Sequence, residues 1–174
     1  MTHQNKWHKN LNFELPSKLI AWLQHVDSFM ERLNTYGIMD AKIQVIHESW
    51  QIPHTDEKQL LKVSEETFIR EVWITSPSKC WMFARTVIPR TFLRGQLVNL
   101  LDLKTRPIGS VLFNDKNIKR SDFEFICLDS NCELYEKIQK YRTDTPTFAR
   151  RSLFSANQAS LLLTEVFMPD ILTL

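Results

Sequence analysis

Three apolar, strand-like runs each carry one charge within their oily stripe. Side chains at i and i+2 share a strand face. In "TFIREVWIT" (67–75), Arg70 falls in line with Phe68, Val72 and Ile74. In "CWMFARTVI" (80–88), Arg85 falls in line with Trp81, Phe83 and Val87. In "ASLLLTEVFM" (159–168), Glu165 falls in line with Leu161, Leu163 and Phe167. Ionised groups are rarely buried without a partner, because the lost hydration must be replaced. One account is a buried ion pair of Glu165 with Arg70 or Arg85 that fixes strand register. A second is the opposite alternation, which puts the charges in water and buries Glu71 and Trp73. A third is a closed pocket for a small anion with an apolar body. The planar fork of arginine grips a carboxylate bidentately, so two arginines and one acid suit a ligand with two carboxylates and one hydroxyl.

The chemistry open to such a pocket is restricted. No Ser or Cys is visibly paired with a His, so no activated nucleophile is on offer. Reaction would rest on positioning, electrostatics and proton transfer. Gly37, Gly95 and Gly109 are the only glycines, so the clustered glycines of dinucleotide and phosphate loops are missing. The five histidines form no HExxH or HxH pair, and His47-Glu48 reads as part of a strand. Cys80, Cys127 and Cys132 have no CxxC spacing, which gives neither a zinc site nor a disulfide framework and suits a reducing compartment. No metal and no cofactor is expected.

Bulk composition narrows the class further. The chain of 174 residues has 22 basic and 20 acidic residues and a formal charge of +2, too balanced to argue for nucleic acid. The basic patches "KNIKR" (116–120) and "FARR" (148–151) read as solvated edges or local anion contacts. The polar start "MTHQNKWHKNLNFELP" lacks the apolar core of a secretory signal. No apolar run approaches the roughly 18 residues of a membrane span. The expectation is a cytoplasmic, single-domain protein over 1–174, working as a monomer, with 1–14 a poorly ordered N-terminal segment.

Elements that would hold the charges follow from periodicity. Residues 16–24 and "FMERLNTY" read as short helices, the second capped by Asp27-Ser28 and stopped at Gly37. "AKIQVIHESW" (41–50) reads as a strand. The runs 67–75 and 80–88 form a hairpin across "SPSK". "GQLVNLLDL" (95–103) reads as helical, "RPIGSVLF" (106–113) as a turn or short helix, and "DFEFICL" (122–128) as a strand. "NCELYEKIQKY" (131–141) reads as an exposed amphipathic helix or insertion. The runs 147–155 and 159–168 close the chain as a hairpin around "ANQ". Six strands joined mostly by hairpins give an α+β fold, a mainly antiparallel six-stranded sheet with helices packed on it.

"WMFARTVIP" resembles the "GRTVxP" strand of the chorismate pyruvate-lyase family. "FIREV", "TRPIGSVLF", "ARRSLF" and the terminal "LLLTEVFMP" follow that family's order and spacing, and "LQHVDSFMERL" is similar to its early "DSxxxRL" segment. The resemblance runs from about Leu15 to the C-terminus. It implies a sheet with helical flaps over an internal ligand cavity. It also implies cofactor-free conversion of chorismate to 4-hydroxybenzoate and pyruvate, the first committed step of ubiquinone biosynthesis, with tight product retention and hence product inhibition. By position, Arg70 holds the ring carboxylate, Glu165 meets the 4-hydroxyl, and backbone groups at Phe29 and Ile108 help hold the ring carboxylate. A one-residue shift puts Met30 in place of Phe29. Arg85 of the "GRT" triplet is the candidate for the enolpyruvyl carboxylate and the charge developing on the leaving group. Ala84 stands where the family has Gly, and the segment 129–146 is longer than the family pattern. A related architecture serves as the effector-binding domain of bacterial transcription regulators. A non-catalytic aromatic-carboxylate sensor is therefore the alternative, but the roughly 15 residues before the first motif are too few for a helix-turn-helix.

Overall fold

A sheet buried on both faces organises the chain, which a computed structural model describes over residues 6–174. Its strands are β1 (Lys42–Gln51), β2 (Thr67–Ser76), β3 (Lys79–Ile88), β4 (Lys119–Arg120), β5 (Glu124–Leu128), β6 (Thr147–Ala156) and β7 (Ala159–Phe167). All pairings are antiparallel, in the order β1-β2-β3-β7-β6-β4, with β5 also on β6. Seven strands therefore replace the expected six. The addition is β4, whose two residues are too few to show a period.

Helices cover both sides. On the front lie α1 (Ser17–Leu23), α2 (Phe29–Thr35), the 3-10 helix Gly95–Asp102 and a later single turn. Leu19, Trp22, Phe29, Leu33, Leu97 and Leu100 there join Val72, Ile74 and Leu163 in one core. On the back lie α3 (Thr55–Leu61), which the periodicity did not reveal, and a short helix at Glu133–Lys137 within the 129–146 segment. Leu134 and Ile138 pack on Trp73, Phe83 and Val166, while Leu60 and Leu61 pack on Ile69, Val87 and Leu162. Covering both faces turns strands into near-continuous apolar runs. Every residue of β2 from Thr67 to Ile74 is buried.

Local chemistry explains the joints. Ser28 caps α2 by accepting from the Glu31 amide at 3.3 Å, and Gly37, with φ of +79°, ends the turn in the left-handed region glycine favours. In the β6–β7 hairpin Asn157 and Gln158 both have positive φ, the twist that matches a tight two-residue turn. Of the N-terminal segment expected to be loose, residues 1–5 lie outside the described residues. Beyond them, His8 exchanges two backbone hydrogen bonds with Phe125, and the Phe13 ring packs edge-on against Phe148. No helix among the described residues is long and apolar enough to cross a membrane.

Candidate functional site

Strand register decides which charges meet. Arg70 lies opposite Thr86, and Thr86 opposite Leu163. Val72 lies opposite Ala84, and Ala84 opposite Glu165. Directly opposed residues share a face, so Arg70 and Glu165 both look to the front. Arg85 lies opposite Glu71 and Thr164 and looks to the back. The three stripes are real, but they belong to two faces, and Arg85 is removed from the site that its stripe suggested. A register shift next to Ile74 also moves Trp81 out of the Arg85 row and into the front core.

The front charges enclose a cavity. Its floor is Arg70, Val72, Ile74, Ala84, Leu163 and Glu165, and its roof is Ser28, Phe29 and Met30 from α2 with Pro107, Ile108 and Gly109. The latter three lead into α4 (Gly109–Leu112). Arg70, Glu165, Phe29, Met30 and Ile108 are thus brought together, leaving Arg85 as the one expected member elsewhere. The N–H groups of Phe29, Met30, Ile108 and Gly109 open their helical turns and have no acceptor within them. Their residues line the same cavity as Arg70.

Arg70 is aimed by its neighbours. Its Nε donates to Glu48 at 2.8 Å, and one Nη donates to the carbonyls of Lys104 at 2.6 Å and Arg106 at 3.4 Å. Among the described residues its other Nη makes no hydrogen bond, and that edge of the fork is free to take a carboxylate oxygen. Burial lowers the pKa of Arg70, with Glu48 working against that shift. Glu48 thus finds its role beside Arg70, in the strand where His47-Glu48 was read.

Glu165 is clamped. Arg150 donates to both carboxylate oxygens, at 2.6 and 3.1 Å, and Arg120 donates to Oε2 at 3.0 Å. Burial alone would raise the acid's pKa, but the two guanidinium groups overturn it and hold the carboxyl below the usual range. Glu165 is therefore ionised at neutral pH and suited to accept a hydrogen bond rather than to give a proton. Arg150 also donates through Nη1 to the carbonyls of Trp22, Leu23 and His25, tying α1 to the sheet. Both arginines come from the patches read as solvated edges or local anion contacts, and the second description is the one that fits them: Arg150 is buried, Arg120 is mostly covered, and both hold the Glu165 carboxylate. Arg150 shares its strand face with Phe148 and Phe154, so the same alternation that flagged Glu165 marks it too. Arg120, on the two-residue β4, carries no such signal.

On the back face Arg85 donates to Glu57 at 2.7 and 2.9 Å and to Glu71 at 2.6 Å. Lys137 adds a contact to Glu71 at 3.2 Å, which joins the 129–146 segment to the sheet. Glu57 is also held below the usual range, because Arg85 outweighs the desolvation that would raise it. Depressed carboxyls stabilise the fold fully above their unfolded pKa and lose that contribution as pH falls through the folded value. Urea midpoints should accordingly hold level above about pH 4.5 and fall below it, the ordinary value for these groups being 4.5. A midpoint that rises on acidification would contradict both clamps.

Comparison with known proteins gives the family of the chain. The family model described as chorismate lyase matches residues 1–173. The probable chorismate pyruvate-lyase of Aromatoleum aromaticum is 32% identical over 166 residues, covering 92% of this chain and 89% of that protein. The chorismate pyruvate-lyase of Hamiltonella defensa is 35% identical over 162 residues, covering 90% and 81%. Among solved structures, PhnF from Mycobacterium smegmatis superposes with a TM-score of 0.59 at 12% identity, over 84% of this chain and 65% of that one. Its effector domain alone gives 0.57 at 11% identity, over 83% and 90%. These last two likenesses speak for the fold only.

Proposed function

Because this chain belongs to the chorismate lyase family, we propose that it splits chorismate into 4-hydroxybenzoate and pyruvate in the front cavity. The observation that carries the reading is the pair of opposite charges facing one apolar chamber, Arg70 with an open donor edge and Glu165 held ionised. A ring carboxylate on Arg70, supported by the free amides of Phe29 or Met30 and Ile108, leaves the hydroxyl across the ring to donate to Glu165. Val72, Ile74, Ala84 and Leu163 form walls against which a flat ring can pack.

The reaction needs no covalent attachment to the protein. The ether bond between ring C3 and the enolpyruvyl oxygen breaks, and its electron pair goes to the departing enolate. The hydrogen on C4 leaves as a proton, its electrons complete the aromatic ring, and the proton ends on the enolpyruvyl methylene, giving pyruvate. Aromatisation drives the step, so the protein supplies position and charge. Arg85 takes no part in this scheme, since its fork is occupied on the far face.

Purified protein given chorismate, without added metal or cofactor, is expected to release 4-hydroxybenzoate and pyruvate in equal amounts. Binding of 4-hydroxybenzoate with chorismate left intact would make the chain a non-catalytic sensor. Neither turnover nor binding by folded protein would remove the assignment. A pathway role in supplying ubiquinone precursor follows from the same reading, and the product is expected to inhibit because it keeps both of its polar contacts.

A further inference from the structure

With Arg85 on the far face, the second carboxylate of the substrate lacks a partner, and the charges around Glu165 supply one. In chorismate the enolpyruvyl ether sits on the ring carbon next to the one bearing the hydroxyl. A ring held with its carboxylate on Arg70 and its hydroxyl on Glu165 therefore carries the enolpyruvyl carboxylate toward the Glu165 end. An anion arriving beside an ionised acid would be repelled unless cations outnumber it there. They do, because Arg120 and Arg150 set two positive charges against the one carboxylate of Glu165. Asp27, the other acid facing Arg120, is exposed to solvent, where water screens it.

Among the described residues Arg120 has more donors to spare than Arg150, whose one remaining N–H, on Nη2, is sealed from solvent. Arg150 is 1% exposed, and its three nitrogens are spread over both oxygens of Glu165 and three backbone carbonyls. Arg120 is 12% exposed and makes one bond per nitrogen: Nε to Ser152 at 2.8 Å, Nη1 to the Val26 carbonyl at 3.1 Å and Nη2 to Glu165 at 3.0 Å. Among the described residues each Nη thus keeps an unused N–H. The guanidinium stands among the rings of Phe113, Phe123 and Phe154, at 5.6, 4.3 and 4.9 Å. Phe113 and Glu165 both line the cavity, and Arg120 stands behind that lining in contact with both, so a group leaving the ring between them is directed toward Arg120. The aromatic surroundings keep the fork poorly hydrated, which strengthens its pull on an anion.

We infer that Arg120 is a catalytic residue, the cation that receives the enolpyruvyl carboxylate and steadies the negative charge growing on the departing enolate. The inference rests on the lyase reading above and deepens it. Arg120 distinguishes substrate from product, because 4-hydroxybenzoate has no second carboxylate for it to hold.

The test compares the two ligands on one variant. In Arg120→Gln, kcat/KM for chorismate is expected to fall by about 10²–10³-fold, while the dissociation constant of 4-hydroxybenzoate shifts less than about threefold. Arg120→Lys keeps the charge without the fork and should recover part of the rate, again at unchanged product affinity. Should the Gln variant fail to fold, judged by circular dichroism, the Lys variant carries the test with a smaller fall on chorismate alone. Equal losses for chorismate and 4-hydroxybenzoate would mean that Arg120 only props Glu165, and unchanged kcat/KM would remove it from the reaction. Either overturns the inference while parent turnover upholds the lyase reading. A parent protein inert toward chorismate fails that reading instead, and the inference falls with it.

Discussion

Arg85→Ala is expected to lose about 3–5 kcal/mol of folding stability while leaving turnover per folded molecule within a few-fold of the parent. Arg85 is 1% exposed and supplies three hydrogen bonds to Glu57 and Glu71, themselves almost wholly buried. Removing the cation leaves the buried carboxylate of Glu57 without its arginine and, among the described residues, Glu71 with only the contact to Lys137, and breaking a buried pair by removing one partner is costly. Against a typical total of about 5–15 kcal/mol, such a loss is a large fraction of the whole. The cavity lies on the other side of the sheet, so the chemistry should survive wherever the fold does. Denaturant melts give the first quantity and kcat corrected for folded fraction gives the second. Normal stability with a rate lowered about 10²–10³-fold would put Arg85 back in the reaction. Replacing Arg85 and Glu71 together by apolar residues of similar size, with Glu57→Gln, should regain much of the lost stability, as it does for other buried pairs exchanged whole.

Arg70→Ala should behave in the opposite way, weakening 4-hydroxybenzoate at least about thirtyfold with a smaller effect on stability. Its ion-pair partner Glu48 is 29% exposed, against 5% and 2% for the partners of Arg85, so water can take over when the guanidinium goes. The ligand has no such substitute inside the cavity. Truncating one member of a buried, hydrogen-bonded charge pair costs about 2–5 kcal/mol of binding, and the lower bound is about thirtyfold. Calorimetric titration with 4-hydroxybenzoate measures it. The Lys104 and Arg106 carbonyls also lose their donor, which should loosen the segment before α4 and speed product release. Affinity within about twofold of the parent would place the aromatic carboxylate elsewhere.

The two arginines look alike in the sequence, each one charge in an apolar row, and what separates them is not local. Alternation along β2, β3 and β7 assigns each row correctly apart from Trp81, which the register shift displaces, yet it cannot say which rows of different strands share a face. That depends on cross-strand register, on Arg70 meeting Thr86 while Arg85 meets Glu71. In a half-solvated sheet, polarity would have marked the outer face. Here helices cover both sides, and Phe83 and Val87 are as buried behind the sheet as Val72 and Ile74 are before it. The helix α3 that brings Glu57 to Arg85 was not seen in the periodicity of residues 51–66, so the back-face partner was invisible as well. Glu165 and Arg70 are legible because family motifs and stripes point to the same places, whereas the roof residues Phe29, Met30 and Ile108 follow from the family motifs alone. Arg150 is available by the same alternation but is masked by its neighbour Arg151, which makes "FARR" look like a solvated edge or a local anion contact with no partner named. Arg120 depends on a two-residue strand whose pairing arises only once β6 is in place.

Why an acid sits on an oily face has a direct answer in these contacts. Glu165 is matched by two arginines, one sealed and one with donors left over, and so remains charged where burial alone would neutralise it. The front of the sheet thereby holds a fixed acceptor at one end of an apolar chamber and a fixed donor fork at the other.

A crystal structure of the protein with 4-hydroxybenzoate tests this account most directly. The predicted result is a ring in the front cavity, its carboxylate on the free Nη of Arg70 and its hydroxyl on Glu165. A ring bound behind the sheet, in a second cleft lined by His54, Glu57 and Leu134, or a front cavity left without it at saturating ligand, would contradict the account.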